Sequence, residues 1–453
     1  MSRAAPGLAV IGVAALVLAV APDARAAGGG LTMDDAVAIA LQRNRDVIAA
    51  RLDIEASELD LVAARLYPNP QLQYNLGNLV LGAPNPQNQG MPGQAPVQSG
   101  FFGQPVQSIG VSEVVDVWAK RSTHIRTANR GVEHRRLLVE DALREIVFSV
   151  RSAFADVLRE QSERQLAHEF ADRYAATIRV SQARFRAGDI SEAELRTIEL
   201  EGLKYQNDVI DADMQLDVAR GKLAAFLALP SGRDIPGDRL VEPEGERPRF
   251  EVGALTARAL ERRPDLRAAG AARTLAESEI EAARRDAYPD INLGVGYTHS
   301  SFQISGDNPN TLGLSLSLPL PLFDRNQANI GRARLDLRRA ENEGERLRIA
   351  VQRDVAEAVR KAARATTMLS VFERPAGGDV PGPVTGTSDK GGMLERSETA
   401  LRVAEKSYRA GASSLLELLE AQRTYLETRA QYLRALYDFR EAAVEVTHAV
   451  GEP

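Results

Sequence analysis

The chain contains no cysteine among its 453 residues. Disulfides, thiolate catalysis and cysteine-based metal sites are excluded, as is an anchor that acylates a cysteine behind a leader peptide. Aromatic residues are scarce, at 5%. With Ala, Leu, Arg and Glu abundant, that bias favours long helices over an aromatic-rich globular core. No sign of charge dominates: the net charge is -6, with 26% charged and 44% hydrophobic residues. The balance fits a folded chain and gives no basis for nucleic-acid binding. Histidines are few and dispersed (His124, His134, His168, His299 and His448), without paired-ligand spacing. There is no G-x-S-x-G, phosphate-binding loop or dinucleotide fingerprint, and the methionines form no soft-metal cluster. Helical Glu/Arg pairing explains the carboxylates better than catalysis. Neither an enzyme nor a cofactor is expected.

Long apolar runs are also missing. The run Gly7 to Ala21 follows Arg3 and precedes Ala24-Arg25-Ala26, which reads as a signal peptide over residues 1–26. It falls short of the ~20 residues of a spanning helix, and no later segment reaches that length. An exported chain that is integral to a membrane must then be a β-barrel.

What is present occurs twice. Ala40 to Val47 (ALQRNRDV) returns as Ala259 to Leu266 (ALERRPDL), Tyr67-Pro68-Asn69 as Tyr288-Pro289-Asp290, and Phe185-Arg186-Ala187-Gly188 as Tyr408-Arg409-Ala410-Gly411. The offsets are 219, 221 and 223, in order along the chain. Two copies are expected, over residues 27–228 and 251–453, joined by a Pro/Gly-punctuated linker over 229–250. Each copy predicts a helical region (Asp34 to Leu66; Val252 to Ala287), two strands, a long helical stretch, a turn at Arg-Ala-Gly and a returning helix (Ser191 to Leu227; Ser414 to Val450).

Ile291, Leu293, Val295 and Tyr297 alternate with small or polar residues, as do Leu312, Leu314, Leu316 and Leu318. The first copy is looser, with Leu72, Tyr74 and Leu76, then Ile109, Val111, Val115 and Val117, interrupted by Glu113. This period of two fits a membrane barrel, apolar to lipid and polar to the lumen; a soluble antiparallel sheet gives the same signal. The polar segments Gly82 to Pro105 and His299 to Asn310 fit outer loops. Four strands cannot close a barrel of useful bore, so strands would be pooled between chains.

From Trp118 to Phe185 there is no proline and a single glycine, Gly131. As one helix this stretch would span roughly 100 Å, longer than a compact core needs. Leu419, Leu426 and Leu433 repeat every seven residues beside Leu418, Tyr425, Tyr432 and Phe439, a coiled-coil seam or an ordinary amphipathic bundle face. The counterpart helix keeps Leu203 and Ile210 but has Gly202 at the place of Tyr425. The second long stretch is interrupted by Pro375 to Gly392, with three prolines and no aromatic residue. It reads as a flexible insertion leaving the helix roughly 28 Å from the Gly411 turn.

Two segments carry a family resemblance. Leu318-Pro319-Leu320-Pro321-Leu322-Phe323-Asp324-Arg325-Asn326-Gln327 resembles the strand-to-helix junction of CzcC-type heavy-metal efflux proteins. Tyr408-Arg409-Ala410-Gly411 with Ser414-Leu415-Leu416-Glu417-Leu418-Leu419-Glu420-Ala421-Gln422 resembles the periplasmic tip turn of TolC-like outer-membrane efflux proteins. The resemblance implies a mainly α fold with a membrane β-barrel: a homotrimer whose twelve-stranded barrel, in outer-membrane lipid, continues into a long α-helical periplasmic barrel. It implies a passive exit duct that receives cargo, here metal cations, from a periplasmic adaptor and an inner-membrane RND-type pump. Phe185, Arg186, Gly188, Tyr408, Arg409 and Gly411 would form the tip turns and adaptor contact. Glu417, Glu420 and Glu194 would line a cation-favouring constriction; solvated surface glutamates are the plainer reading. Ser413 stands where the family prototype has an arginine that helps lock the pore; Tyr408 fits the prototype pattern, but the resemblance does not carry the closing network over to this chain. Drugs, solvents or secreted protein as cargo remain open. So does a soluble periplasmic coiled-coil structural protein.

Overall fold

The computed structural model describes residues 31–77, 79, 105–230, 250–301, 308–373 and 392–452. The expected signal peptide and nearly all of the expected insertion lie outside these residues, as do most of the Gly82–Pro105 loop and the linker, and the middle of the His299–Asn310 loop. The order of elements is α1 (Met33–Arg43), α2 (Arg45–Arg65), β1 (Gln71–Gly77), β2 (Val106–Val115), α3 (Lys120–Ala187) and α4 (Glu192–Phe226). Then come α5 (Val252–Arg262), α6 (Pro264–Asp286), β3 (Ile291–Ser300), β4 (Asn310–Ser317), α7 (Gln327–Glu373), α8 (Met393–Arg409) and α9 (Leu415–Val450).

The expected first helical region of each copy is broken in two. Asn44 ends α1 and begins α2 with extended backbone, its carboxamide oxygen accepting from Asp46 N at 2.8 Å and Val47 N at 3.3 Å. In the second copy Pro264 opens α6, where its missing N–H costs nothing, and Arg263 is the joint. The two joints do the same work. Asn44 Nδ2 donates to Phe226 O at 3.0 Å, at the end of α4, and Arg263 Nη1 to Ala449 O at 3.4 Å, at the end of α9.

The strands form one antiparallel sheet in the order β1-β2-β3-β4. Its register aligns Leu72, Val111, Val295 and Leu314 in one row, and Tyr74, Ile109, Tyr297 and Leu312 in the next. These side chains share one face and are exposed, Leu314 to 87%. The opposite face carries Ser108, Gly110, Ser112, Gly294, Gly296, Gly313 and Ser315. Glu113 does not interrupt its strand; it lies on the apolar face opposite Leu293.

α3 is unbroken over 68 residues, roughly 100 Å at helical rise. Asp116 caps its start, accepting from Lys120 N at 2.9 Å and Arg121 N at 2.8 Å. α3 packs on α2 and α6 near the sheet, and on α4 and α9 farther away, while α7 packs on α6 and α9. Buried side chains therefore fall into clusters strung along a sheet of helices. One holds Phe154, Leu158, Leu216 and Leu223, and another Val351, Val355, Val446 and Val450. The cluster of Leu166, Phe170, Leu369, Tyr425, Tyr432 and Leu433 joins the copies. The end of α7 meets the start of α8 directly: a Cβ added to Gly392 would lie 2.2 Å from Phe372 O.

Candidate functional site

Two features can act. One is the apolar outer face of the sheet with its aromatic margin; the other is the pair of turns at the far end of the long helices.

At the end of the sheet nearest the helices, Trp118 stacks on Tyr288 with ring centroids 4.9 Å apart, and Trp118 Nε1 donates to Pro289 O at 3.0 Å. Arg121 lies over the Tyr67 ring at 4.0 Å. Phe323 is 92% exposed. An exposed apolar band bordered by Trp, Tyr and Phe is the surface of a β-structure at a membrane–water interface. Among the described residues no helix is long and apolar enough to cross a membrane.

The turns are built alike. Gly188 has φ 83° and Gly411 φ 71°, a region favoured by glycine. Gly188 N donates to Phe185 O at 3.0 Å and Asp189 N to Arg184 O at 2.9 Å; Gly411 N donates to Tyr408 O at 3.0 Å and Ala412 N to Ser407 O at 2.8 Å. Each pair of bonds satisfies the last carbonyls of the outgoing helix. Ser191 and Ser414 then cap the returning helices, accepting from Glu194 N at 3.2 Å and Glu417 N at 3.3 Å. Glu194 and Glu417 thus sit in a first helical turn, where a carboxylate is favoured whatever else it does. Glu417 and Glu420 are exposed, and Glu194 is half-buried.

The equivalent residues of the turns are not equally placed. Phe185, Arg186 and Arg409 are exposed, but Tyr408 is only 2% exposed. Its hydroxyl is 3.0 Å from Ser181 Oγ, and Arg184 lies 4.8 Å above its ring. In this chain Tyr408 pins one tip to the other. Ser181 and Arg184 were missed by sequence reasoning because the second copy has Ala404 and Ser407 at their places. Ser413 Oγ is buried with no hydrogen-bond partner among the described residues.

Gly202 is explained by its neighbour: an added Cβ would lie 2.7 Å from Ile178 Cδ1 and 3.4 Å from the Tyr174 ring. Tyr174 fills the space that a large residue on α4 would need. In the second copy the sizes are exchanged, with Ser397 on the outgoing helix and Tyr425 on the returning one. Tyr425 packs on Phe170, centroids 5.7 Å apart.

The family model described as "Outer membrane efflux protein" matches residues 36–229, 255–375 and 392–452. The chain belongs to the outer membrane efflux protein family. The cobalt-zinc-cadmium resistance protein CzcC of Cupriavidus metallidurans is 25% identical over 427 residues, covering 94% of this chain and 91% of CzcC. The pyoverdine export outer membrane protein OpmQ of Pseudomonas putida is 25% identical over 425 residues, covering 92% of this chain and 85% of OpmQ. The solved structure of CusC, described with transmembrane channel formation, superposes with a TM-score of 0.69 at 18% identity, over 93% of this chain and 92% of that one. Like other outer membrane efflux proteins, the chain is a channel of the outer membrane and not an enzyme. The strands form its membrane part and the long helices its periplasmic part.

Proposed function

We propose that this outer membrane efflux protein is the exit duct for metal cations in a tripartite system, working as a homotrimer whose strands close one barrel. The observation that carries the oligomer is the open sheet with an exposed apolar face. Four strands are fewer than the roughly eight of a minimal barrel, and lipid does not tolerate open strand edges. Three chains bring twelve strands. An RND-type pump in the inner membrane supplies the energy, and a periplasmic adaptor meets the tips at Gly188 and Gly411.

Metal cargo is supported by the match to CzcC along 94% of the chain. A small organic siderophore is the second reading, supported by the OpmQ match over 92%. Expressed with its own adaptor and pump in a host lacking a metal exit duct, the chain is expected to raise tolerance to cobalt, zinc or cadmium several-fold. Unchanged metal tolerance together with restored siderophore export would favour the second reading.

The constriction is assigned to Glu417 and Glu420, one helical turn apart on one face of α9, with Glu194 at the place of Glu417 in the first copy. Three chains would gather these carboxylates around a narrow bore, which favours cations. Reconstituted channels carrying Glu417→Gln and Glu420→Gln are expected to lose cation preference. Unaltered reversal potentials would remove these residues from the pore lining.

A further inference from the structure

The duplication fixes how one copy must meet the next. The shift that carries Tyr67 onto Tyr288 is 221, and the shift that carries Trp118 onto Phe323 is 205. Applied to the observed pairs Gln71↔Ser112 and Leu72↔Val111, the two shifts give Asn292↔Ser317 and Leu293↔Leu316. Both are pairs of the β3–β4 ladder. The same shifts therefore describe the sheet as well as the sequence.

The β2–β3 ladder joins the second strand of one copy to the first strand of the other. Among the described residues it occurs once. The equivalent joint, β4 to β1, is not made among them, and β4 and β1 are the two edges of the sheet. Carrying the β2–β3 register over by the same shifts turns Val111↔Val295 into Leu316↔Tyr74, Ile109↔Tyr297 into Leu314↔Leu76, and Gly110↔Gly296 into Ser315↔Asn75. Apolar residues meet apolar residues on one face and small or polar residues meet on the other, as a single barrel wall requires.

Contacts beside the ladder carry over too. Trp118 stacks on Tyr288, and Lys120 Nζ lies 2.7 Å from Asp290 Oδ1. At the equivalent places stand Phe323, 92% exposed, with Tyr67, and Arg325 with Asn69.

The helices make an independent case. Leu433 of α9 is buried against α3 residues Leu166 and Phe170 at 6% exposure, whereas its counterpart on α4, Ile210, is 65% exposed. Leu200, Leu203, Met214 and Val218 are exposed along the same helix. The other end of the helix row exposes Ile349, Met368 and Val403 on α7 and α8. The α4 of a second chain lying on α7 and α8 of this one would repeat the α9-on-α3 joint.

We propose that a second copy of this chain adds to β4 through its β1 in one register, Leu316 opposite the partner subunit's Tyr74 and Ser315 opposite the partner subunit's Asn75. Phe323 then stacks on the partner subunit's Tyr67. The proposal rests on the oligomeric barrel proposed above and adds its register.

The absence of cysteine makes the test clean. Directly opposed residues have Cα atoms within the range a disulfide can span, while diagonal neighbours lie near or beyond its limit. Full-length Ser315→Cys/Asn75→Cys protein in outer membranes is expected to form reducible covalent oligomers on mild oxidation. Ser317→Cys/Asn75→Cys, off register by one diagonal step, is expected to link far less. Each single variant should give no ladder and should size as a trimer in detergent. A trimer in which the off-register pair links better, or neither pair links, would overturn the register and leave the trimer standing. A monomer in detergent would overturn the oligomeric barrel itself.

Discussion

Val295→Arg is expected to remove most of the membrane-inserted form. Val295 lies in the row Leu72, Val111, Val295 and Leu314, which crosses all four strands on the exposed apolar face. An arginine at the middle of a lipid-facing barrel wall costs about 2–4 kcal/mol. An oligomeric barrel incurs that cost once per chain. Folding of such a wall is all-or-none, so a loss of this size on every subunit removes most of the assembled protein from the outer-membrane fraction. Thr311→Lys is the control. Thr311 lies on β4 but on the small, polar face, where a solvated charge in a lumen costs far less. Outer-membrane fractionation with a heat-modifiable gel shift reads both. Equal loss of the two variants would mean that the faces are not distinct, and equal survival would mean that Val295 does not meet lipid.

The second large effect belongs to Arg263. Its guanidinium is buried where α5, α6, α7 and α9 converge, with Nη2 2.7 Å from Asp265 Oδ2 and Nη1 3.4 Å from both Asp354 Oδ2 and Ala449 O. Burial pushes Asp265 up, but the hydrogen bonds and charge of Arg263 outweigh it and hold the carboxyl below its ordinary range. Arg144 joins the same region, donating from Nη1 to His448 O at 3.1 Å. Burial, reinforced by Arg144 and Arg263, holds His448 down to about 4, so its imidazole is neutral and can accept from Arg144. Arg263→Ala strands Asp265 without its partner and frees the end of α9. Breaking one side of a buried pair costs about 3–5 kcal/mol. Arg263→Lys should recover little, because an ammonium cannot make the forked contact. The counterpart joint is neutral, so Asn44→Ala is expected to cost about 1 kcal/mol, the size of a lost helix cap. Arg267→Ala, which removes an exposed pair with Glu140, should cost under about 1 kcal/mol. Chemical unfolding in detergent orders the variants. Arg263→Ala no more costly than Arg267→Ala would refute the role given to the buried joint.

Much of this architecture was legible in the sequence because it is written in local chemistry. Alternating residues in β3 and β4 marked a two-faced sheet. The Arg-Ala-Gly turns were legible because an α-helix that reverses needs a residue tolerant of positive φ, and Gly188 and Gly411 supply it. The proline-free stretch after Trp118 appears as the unbroken α3. What stayed hidden depends on pairing across the fold. The breaks at Asn44 and Arg263 are held partly by carbonyls 182 and 186 residues away, which no local pattern reveals. Tyr408 and Phe185 share a motif, yet Ser181 and Arg184 bury one and leave the other exposed. Gly202 looked like a gap in a heptad row until Tyr174 was placed against it. At the tip, Glu194 and Glu417 follow a serine by three residues, a helix-start pattern, and the structure puts both in first turns. Their proposed lumenal role is additional to that local one.

A channel of the outer membrane must conduct. The current across a planar lipid bilayer after addition of detergent-purified, full-length protein tests whether this chain does. Discrete, reproducible conductance steps from a trimeric species, absent with Val295→Arg protein, are the predicted result. A protein that stays monomeric without detergent and leaves the bilayer silent would contradict the account.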